Sequence, residues 1–152
     1  MDEAVQEPME QGSLLLDDQL CFALYAASRA VTARYRPLLG VLGLTYPQYL
    51  VMLVLWERGS VPVREVGAAL QLESSTLSPL LKRLEANGLI RRERRTDDER
   101  SVALHLTPAG VELQDKARGV PVSIGDAMGL TPEQHTTARQ LLRLLTANVT
   151  RE

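Results

Sequence analysis

The chain holds a single cysteine, Cys21, and tyrosines surround it at regular distances along the sequence. Tyr25 follows by four residues and Tyr35 by fourteen, while Tyr46 comes after a glycine-containing break. A cysteine thiolate attacks peroxide oxygen, and phenol hydroxyls can donate hydrogen bonds to such an anion. One cysteine cannot close a disulfide within its own chain. Its oxidation therefore stops at an oxidised sulfur or at a disulfide with a second molecule, such as a small thiol.

One long helix is predicted to carry these groups. Apolar residues recur at spacings of three and four from Leu14 to Leu38, as in an amphipathic helix. At about 100° per residue, Cys21, Tyr25 and Tyr35 share one stripe of that helix. At a rise of about 1.5 Å per residue, however, Tyr35 lies about 21 Å beyond Cys21. A contact between them is expected only across a two-fold dimer, where the first helix of the partner runs the opposite way.

The middle of the chain predicts a helix-turn-helix. Residues Pro62 to Leu70 form its first helix, residues 71–73 the turn, and Ser74 or Ser75 caps a second helix that ends at Asn87-Gly88. Leucines at helical spacing face inward. The outward side can meet base edges and phosphates, and its candidate DNA-binding residues are Ser75, Thr76, Ser78, Lys82 and Arg83.

A β-hairpin is predicted directly after this second helix. Beyond Gly88 the apolar period changes from that of a helix to that of a strand, with Val102, Leu104 and Leu106 on the return strand. The charged tip holds the further candidates Arg94, Arg95, Asp98 and Arg100. A hairpin behind such a helix forms a wing, whose arginines can enter a narrow A·T-rich minor groove.

Charge distribution supports a local contact with nucleic acid. The chain of 152 residues carries a net charge of −2. Seven basic and five acidic residues stand between Ser74 and Arg100, against ten basic and fourteen acidic ones elsewhere. A basic stripe on an acidic body favours a selective contact, because the body repels phosphate where the stripe is not engaged.

Composition limits the remaining classes of function. The length suits one domain, 45% of the residues are hydrophobic, and no apolar run reaches the roughly 20 residues of a membrane span. With no secretory signal evident, we expect a soluble cytoplasmic protein without membrane association. No metal-ligand spacing, phosphate-binding loop or catalytic triad appears, so we expect no metal, no cofactor and no enzymatic activity.

Start signals place the other helices. Thr45 to Gln48 and Thr131 to Gln134 have the form of capping boxes with proline at the first helical position, and Thr107-Pro108 opens another helix. Residues 118–130, which contain three glycines and a proline, are interpreted as a broken helix or a flexible connector.

Four segments, which form two separate motifs, resemble a known family. Residues 72–85, 98–101 and 106–107 resemble the winged-helix core of MarR-type repressors, and residues 16–29 resemble the organic-hydroperoxide-sensing branch called OhrR. The resemblance implies a mainly α fold with a small β-hairpin wing, a winged helix-turn-helix, and a homodimer formed through the N- and C-terminal helices. It also implies the one-cysteine type, in which Cys21 senses peroxide beside Tyr25, Tyr35 and Tyr46. At the wing tip, Asp98 would orient the side chain of Arg100 toward the DNA groove.

Boundaries and function follow from the resemblance as expectations. Residues 1–12 would be a disordered arm and 13–152 one domain, with dimerisation helices at 13–40 and 107–150 and the DNA-binding core at 44–106. The reduced dimer would bind a pseudo-palindromic, A·T-rich operator in double-stranded DNA as a repressor. An organic hydroperoxide would oxidise Cys21, a small thiol would form a mixed disulfide with it, and the DNA would be released.

Two other interpretations stay open at this stage. A cysteine among apolar residues is often an inert core residue, in which case a small aromatic ligand would release the DNA and Cys21→Ser would respond normally. Alternatively, Cys21 would serve a thiol peroxidase. Against this, the third residue before Cys21 is Asp18, no Thr or Arg stands nearby at the usual spacing, and a winged helix would be idle in such an enzyme.

Overall fold

The computed structural model describes residues 12–95 and 98–151, without the side chains of Arg95 and of residues 98–100. The predicted arm at residues 1–12 therefore lies, up to residue 11, outside the described residues. The described elements are α1 (Leu20–Gly40), α2 (Tyr46–Arg58), β1 (Val61–Pro62), α3 (Val63–Leu70), α4 (Ser74–Ala86), β2 (Ile90–Arg95), β3 (Asp98–Leu106), α5 (Pro108–Ala117), α6 (Gly119–Met128) and α7 (Pro132–Val149). The predicted class, mainly α with a small β-hairpin wing, is confirmed.

The first helix starts later than its apolar spacing predicts. The prediction of a helix from Leu14 was wrong, because Leu16–Asp18 form a 3₁₀ turn and Gln19 is extended. The Gln19 side-chain amide donates to the carbonyls of Ser13 and Leu15 at 2.9 and 3.0 Å. These local bonds satisfy backbone groups without a helix. As a result, Cys21 becomes the second residue of α1.

The capping signals are confirmed. The Thr45 hydroxyl accepts from the Gln48 N–H, and the Gln48 side chain accepts from the Thr45 N–H at 3.0 Å. Thr131 and Gln134 repeat this arrangement at the start of α7. Thr107 caps α5 by accepting from the Gly110 N–H at 3.1 Å.

The helix-turn-helix is present with two corrections. Pro62 does not begin α3; it pairs with Ala103 in the two-residue strand β1 and serves as the extended cap of α3. Glu73 occupies the cap position of α4 without a side-chain capping bond, so the prediction of a Ser74 or Ser75 cap was wrong. Between the helices, Gln71 adopts the left-handed conformation with φ of 57°.

The predicted hairpin is confirmed and has a third strand. β2 and β3 pair antiparallel from Ile90 opposite Leu106 to Arg95 opposite Asp98, and the strand order is β1-β3-β2. β1 has only two residues, which are too few to show the alternation of apolar and polar residues that predicts a strand. The strand nevertheless ties the start of α3 to the wing.

Residues 118–130 form mostly helix, separated from α5 by a break at Arg118, so the first of the two interpretations, a broken helix, is confirmed. α6 spans Gly119–Met128, with Pro121 in its first turn, where the missing N–H would have no helical partner. Gly129, at φ of 63°, ends it.

The core lies under the winged region, whereas the terminal helices are largely uncovered. The core joins residues of α2, α3, α4 and the sheet, including the fully buried Met52, Leu55, Val66, Leu84 and Leu104. α7 buries none of its residues, and α1 buries only Leu39. Within the described residues, no helix has both the length and the apolar character needed to cross a membrane.

Candidate thiol site and nucleic-acid interface

Cys21 lies at the exposed start of α1. It is a free thiol on the surface of the isolated chain. Its neighbours Leu20 and Phe22 are also exposed, at 71% and 42% of their surface. One turn further on, the ring of Tyr25 is 60% exposed and lies 5.4 Å from the guanidinium carbon of Arg29. The start of a helix carries partial positive charge, which favours an anion such as a thiolate.

The structure brings Tyr35 and Tyr46 together, away from Cys21. Their ring centroids are 4.7 Å apart, and Tyr49 lies 5.8 Å from Tyr35 and 6.4 Å from Tyr46. We call these three residues the tyrosine cluster. It joins the last turns of α1 to the first turns of α2. Because α1 is continuous, Tyr35 stands about 21 Å along its axis from Cys21 of the same chain.

Two phenols of the cluster, Tyr35 and Tyr49, have a raised pKa. Burial raises the pKa of Tyr35, and the neighbouring Tyr46 and Tyr49 raise it further. Burial, followed by Tyr46, likewise raises the pKa of Tyr49. At neutral pH Tyr35 and Tyr49 are therefore hydrogen-bond donors, as a nearby thiolate would require. Tyr49, the third member of the cluster, is only 3% exposed.

The second helix of the helix-turn-helix presents the predicted polar face. Leu77, Leu81 and Leu84 are buried and fix the orientation of α4. On the other side, the predicted residues Ser75, Thr76, Lys82 and Arg83 are exposed and Ser78 is half-buried. At about 100° per residue, Lys82 lies about 20° from Ser75, so the two stand on one line two turns apart.

The wing is tied to α4 by an acidic side chain. The Glu85 carboxylate accepts from the Arg92 backbone N–H at 3.0 Å and lies 3.8 Å from its Nε. On β2, the Glu93 carboxylate is 3.2 Å from His105 Nε2 and 3.4 Å from Arg91. The predicted Arg94 is exposed at the end of this strand. The predicted Arg95, Asp98 and Arg100 lie outside the described side chains.

Sequence reasoning missed two contacts at these sites. The Arg29 and Tyr25 pair has the four-residue spacing of helical neighbours, so that spacing was a usable signal. The hydrogen bond from Trp56 to the carbonyl of Gly110 gave no signal in the sequence, because it joins residues 54 positions apart.

Comparisons with known proteins agree on one family. A family model described as transcriptional regulator SarA/Rot matches residues 34–117. The organic hydroperoxide resistance transcriptional regulator of Bacillus subtilis is 48% identical over 83% of this chain and 84% of its own length. The chain belongs to the MarR/SarA family of transcriptional regulators, in the organic-hydroperoxide-resistance branch.

Two further relatives support this membership. The regulator TtmR of Methylorubrum extorquens is 51% identical over 78% of this chain, which spans 61% of that longer protein. The structure of reduced AbfR of Staphylococcus epidermidis bound to DNA matches this MarR/SarA chain with a TM-score of 0.74 and 36% identity, over 88% of this chain and 94% of that one. The resemblance drawn from residues 16–29 and 72–85 is thereby confirmed, as is the winged-helix fold.

Proposed function

We propose that this MarR/SarA-family protein is a redox-sensing repressor. Its reduced homodimer binds a pseudo-palindromic, A·T-rich site in double-stranded DNA, and oxidation of Cys21 by an organic hydroperoxide releases that DNA. The names of the Bacillus subtilis relative and of DNA-bound AbfR support the effector and the DNA. Within the chain, the observation that carries the proposal is the separation of an exposed thiol from a preformed cluster of phenol donors.

Exposed apolar side chains support the dimer. In α7, Leu141, Leu144 and Val149 are 60%, 57% and 73% exposed, and Leu20 and Leu24 are exposed on α1. An exposed apolar surface of this kind on two helices of one small protein marks an interface. In a two-fold dimer with antiparallel first helices, Cys21 of one protomer meets Tyr35 of the other. We propose residues 13–40 and 107–150 as the dimerisation helices and residues 44–106 as the DNA-binding core.

The sensing step needs a peroxide and nothing else at first. The Cys21 thiolate attacks the outer oxygen of the hydroperoxide, an S–O bond forms, and the O–O bond breaks. The organic half leaves as the alcohol, while the sulfur, oxidised by two electrons, becomes a sulfenate and then a sulfenic acid on protonation. A small thiol condenses with the sulfenic acid to give a mixed disulfide and water. Phenol donors from Tyr25, Tyr35 and Tyr46 would hold the thiolate before the attack.

The reading of DNA is proposed for α4 and the wing. Ser75, Thr76, Ser78, Lys82 and Arg83 would lie along the major groove, with Arg94, Arg95 and Arg100 at the minor groove and Asp98 orienting Arg100. Two copies of α4 in a dimer would match two half-sites about one helical turn apart. Added bulk on Cys21 at the dimer interface would change that spacing and so release the DNA.

We infer that the protein acts by binding and not by turnover. Its relatives are transcriptional regulators. One equivalent of hydroperoxide per protomer should be consumed quickly. When a thiol reductant is supplied, further consumption should be slow, limited by exchange of the reductant with the mixed disulfide on Cys21. Sustained peroxide consumption at the rate of the first equivalent would favour a thiol peroxidase instead.

Fluorescence anisotropy of a labelled A·T-rich palindromic duplex tests the proposal. Wild type and Cys21→Ser are compared before and after one equivalent of cumene hydroperoxide. We expect wild type to release the duplex and the variant to retain it. If both retain it, Cys21 is structural and a small aromatic ligand becomes the better effector. If both release it, a site other than Cys21 is oxidised, and if reduced wild type fails to bind at any salt concentration, the DNA-binding assignment itself is wrong.

A further inference from the structure

Trp56 links the tyrosine cluster to a distant part of the molecule. It is the only tryptophan of the chain. Its ring meets Tyr49 edge-on, with centroids 6.4 Å apart and an interplanar angle of 68°. On its other side, the indole Nε1–H donates to the backbone carbonyl of Gly110 at 2.9 Å. One side chain therefore contacts both the cluster and the first turn of α5.

The first turn of α5 is in turn locked to residues 88 and 89. The Thr107 N–H donates to the Leu89 carbonyl at 3.1 Å, and the Thr107 hydroxyl donates to the Gly88 carbonyl at 2.6 Å. Gly110 packs so closely on Leu89 that a Cβ at position 110 would overlap the Leu89 carbonyl oxygen. The first turn of α5 therefore cannot move away from residues 88 and 89 without breaking these contacts.

Residues 88 and 89 are the joint between the two DNA-reading elements. The Leu89 N–H donates to the Leu84 carbonyl at 3.1 Å, which holds the joint to the end of α4. The next residue, Ile90, begins β2 of the wing and is buried. A displacement of the start of α5 must therefore move α4, the wing, or both.

Helix α2 carries both Tyr49 of the tyrosine cluster and Trp56. Tyr49 and Trp56 are seven residues apart, so they lie on one face of α2 about 10 Å apart along its axis. A helix of 13 residues with six buried side chains moves as a rigid body, so a shift imposed on Tyr49 reaches Trp56.

We infer that Trp56 is a positioning residue, which couples the tyrosine cluster through Gly110 to the joint between α4 and the wing. This inference rests on the proposed function, because it supplies the route by which a change at Cys21 reaches the DNA-reading elements. Trp56 touches neither the peroxide nor the DNA in this account. A displacement of Tyr49 reaches the indole ring through their contact, and the hydrogen bond from the indole N–H to Gly110 passes that displacement to α5.

Trp56→Phe separates coupling from sensing. The variant keeps a ring against Tyr49 and removes the N–H donor. We expect Cys21 to oxidise at the wild-type rate and the reduced protein to bind DNA with unchanged affinity. The ratio of the oxidised to the reduced Kd should fall by about fivefold, because a bond can transmit no more free energy than it contributes. Leu53→Ala, on the same helix, removes apolar contacts without removing a hydrogen bond and should leave the ratio unchanged.

A second measurement needs no variant of Trp56. As the only tryptophan, Trp56 reports its own surroundings through its fluorescence, excited selectively at the red edge of its absorption. Oxidation of DNA-free wild type should change this emission, and peroxide treatment of Cys21→Ser should not. Unchanged emission in wild type that does release DNA would overturn the inference even if Trp56→Phe failed to fold.

The outcomes distinguish this inference from the function on which it rests. If wild type releases DNA on oxidation and Trp56→Phe releases it equally well, the coupling role is refuted and the sensor stands. If Trp56→Phe is oxidised normally but its ratio of oxidised to reduced Kd falls by about fivefold, the role is supported. If wild type itself does not release DNA, the proposed function fails and the coupling role fails with it.

Discussion

Lys82→Ala should reduce the salt dependence of DNA binding by a calculable amount. Lys82 is exposed on the outward face of α4, in line with Ser75. Each phosphate contact contributes about 0.9 to the slope of log affinity against log salt concentration on B-DNA. A dimer loses two such contacts, so the slope should become shallower by about 1.8. Between about 50 and 200 mM salt, wild type should then lose about 12-fold more affinity than the variant loses.

The chain offers a matched control for this test. Lys116, in the last turn of α5, is its only other lysine, and it is also exposed. Anisotropy of the reduced proteins on one A·T-rich palindromic duplex, measured over a series of salt concentrations, gives the slope for wild type, Lys82→Ala and Lys116→Ala. The Lys116 variant should match wild type. Equal slopes for all three proteins, or equal changes in the two variants, would refute the placement of α4 against the DNA backbone.

Two further predictions follow from the packing. Gly110→Ala should destabilise the fold by about 1 to 3 kcal/mol and weaken DNA binding by the reduced protein, since the new Cβ overlaps the Leu89 carbonyl oxygen; chemical denaturation and anisotropy measure the two effects, and wild-type values for both would contradict the packing. The free energy of unfolding should fall as the pH rises above about 10, because burial raises the pKa of Tyr35 and Tyr49 in the folded state. The stability that these two phenols contribute is complete at a pH below their pKa in the unfolded chain, and it is lost as the pH rises through their pKa in the folded protein. Denaturation of wild type and of the Tyr35→Phe, Tyr49→Phe double variant between about pH 9 and 11 tests this, and an equally steep decline in both would contradict it.

Local signals in the sequence predicted the elements that have a characteristic start or stop. Thr45 and Thr131 cap their helices because a hydroxyl and a glutamine three residues apart satisfy two free N–H groups wherever they occur. Gly88 ends the segment that carries α4 because glycine adopts the left-handed conformation found there without steric cost, which is also a local effect. Such features depend on neighbours within four residues, and the sequence displays them directly.

The failures came from contacts that the spacing of apolar residues does not record. Leu14 to Leu16 continue the apolar spacing of α1, yet hydrogen bonds of the Gln19 side chain hold that stretch outside the helix. β1 exists only because β3 lies beside it. The resemblance to a family placed Tyr35 and Tyr46 in one predicted site, and the rings of these two residues are in contact, but the geometry of that contact depends on how α1 and α2 pack against each other. The link from Trp56 to Gly110 depends on the whole fold and was not predicted.

A time course in one reaction tests the central claim most directly. Reduced protein bound to a labelled duplex receives one equivalent of cumene hydroperoxide per protomer, and samples are divided between anisotropy and mass spectrometry of the peptide that contains Cys21. Our account predicts that the fraction of DNA released rises together with the fraction of Cys21 oxidised. Release while Cys21 remains a thiol, or full oxidation of Cys21 with the complex intact, would contradict it.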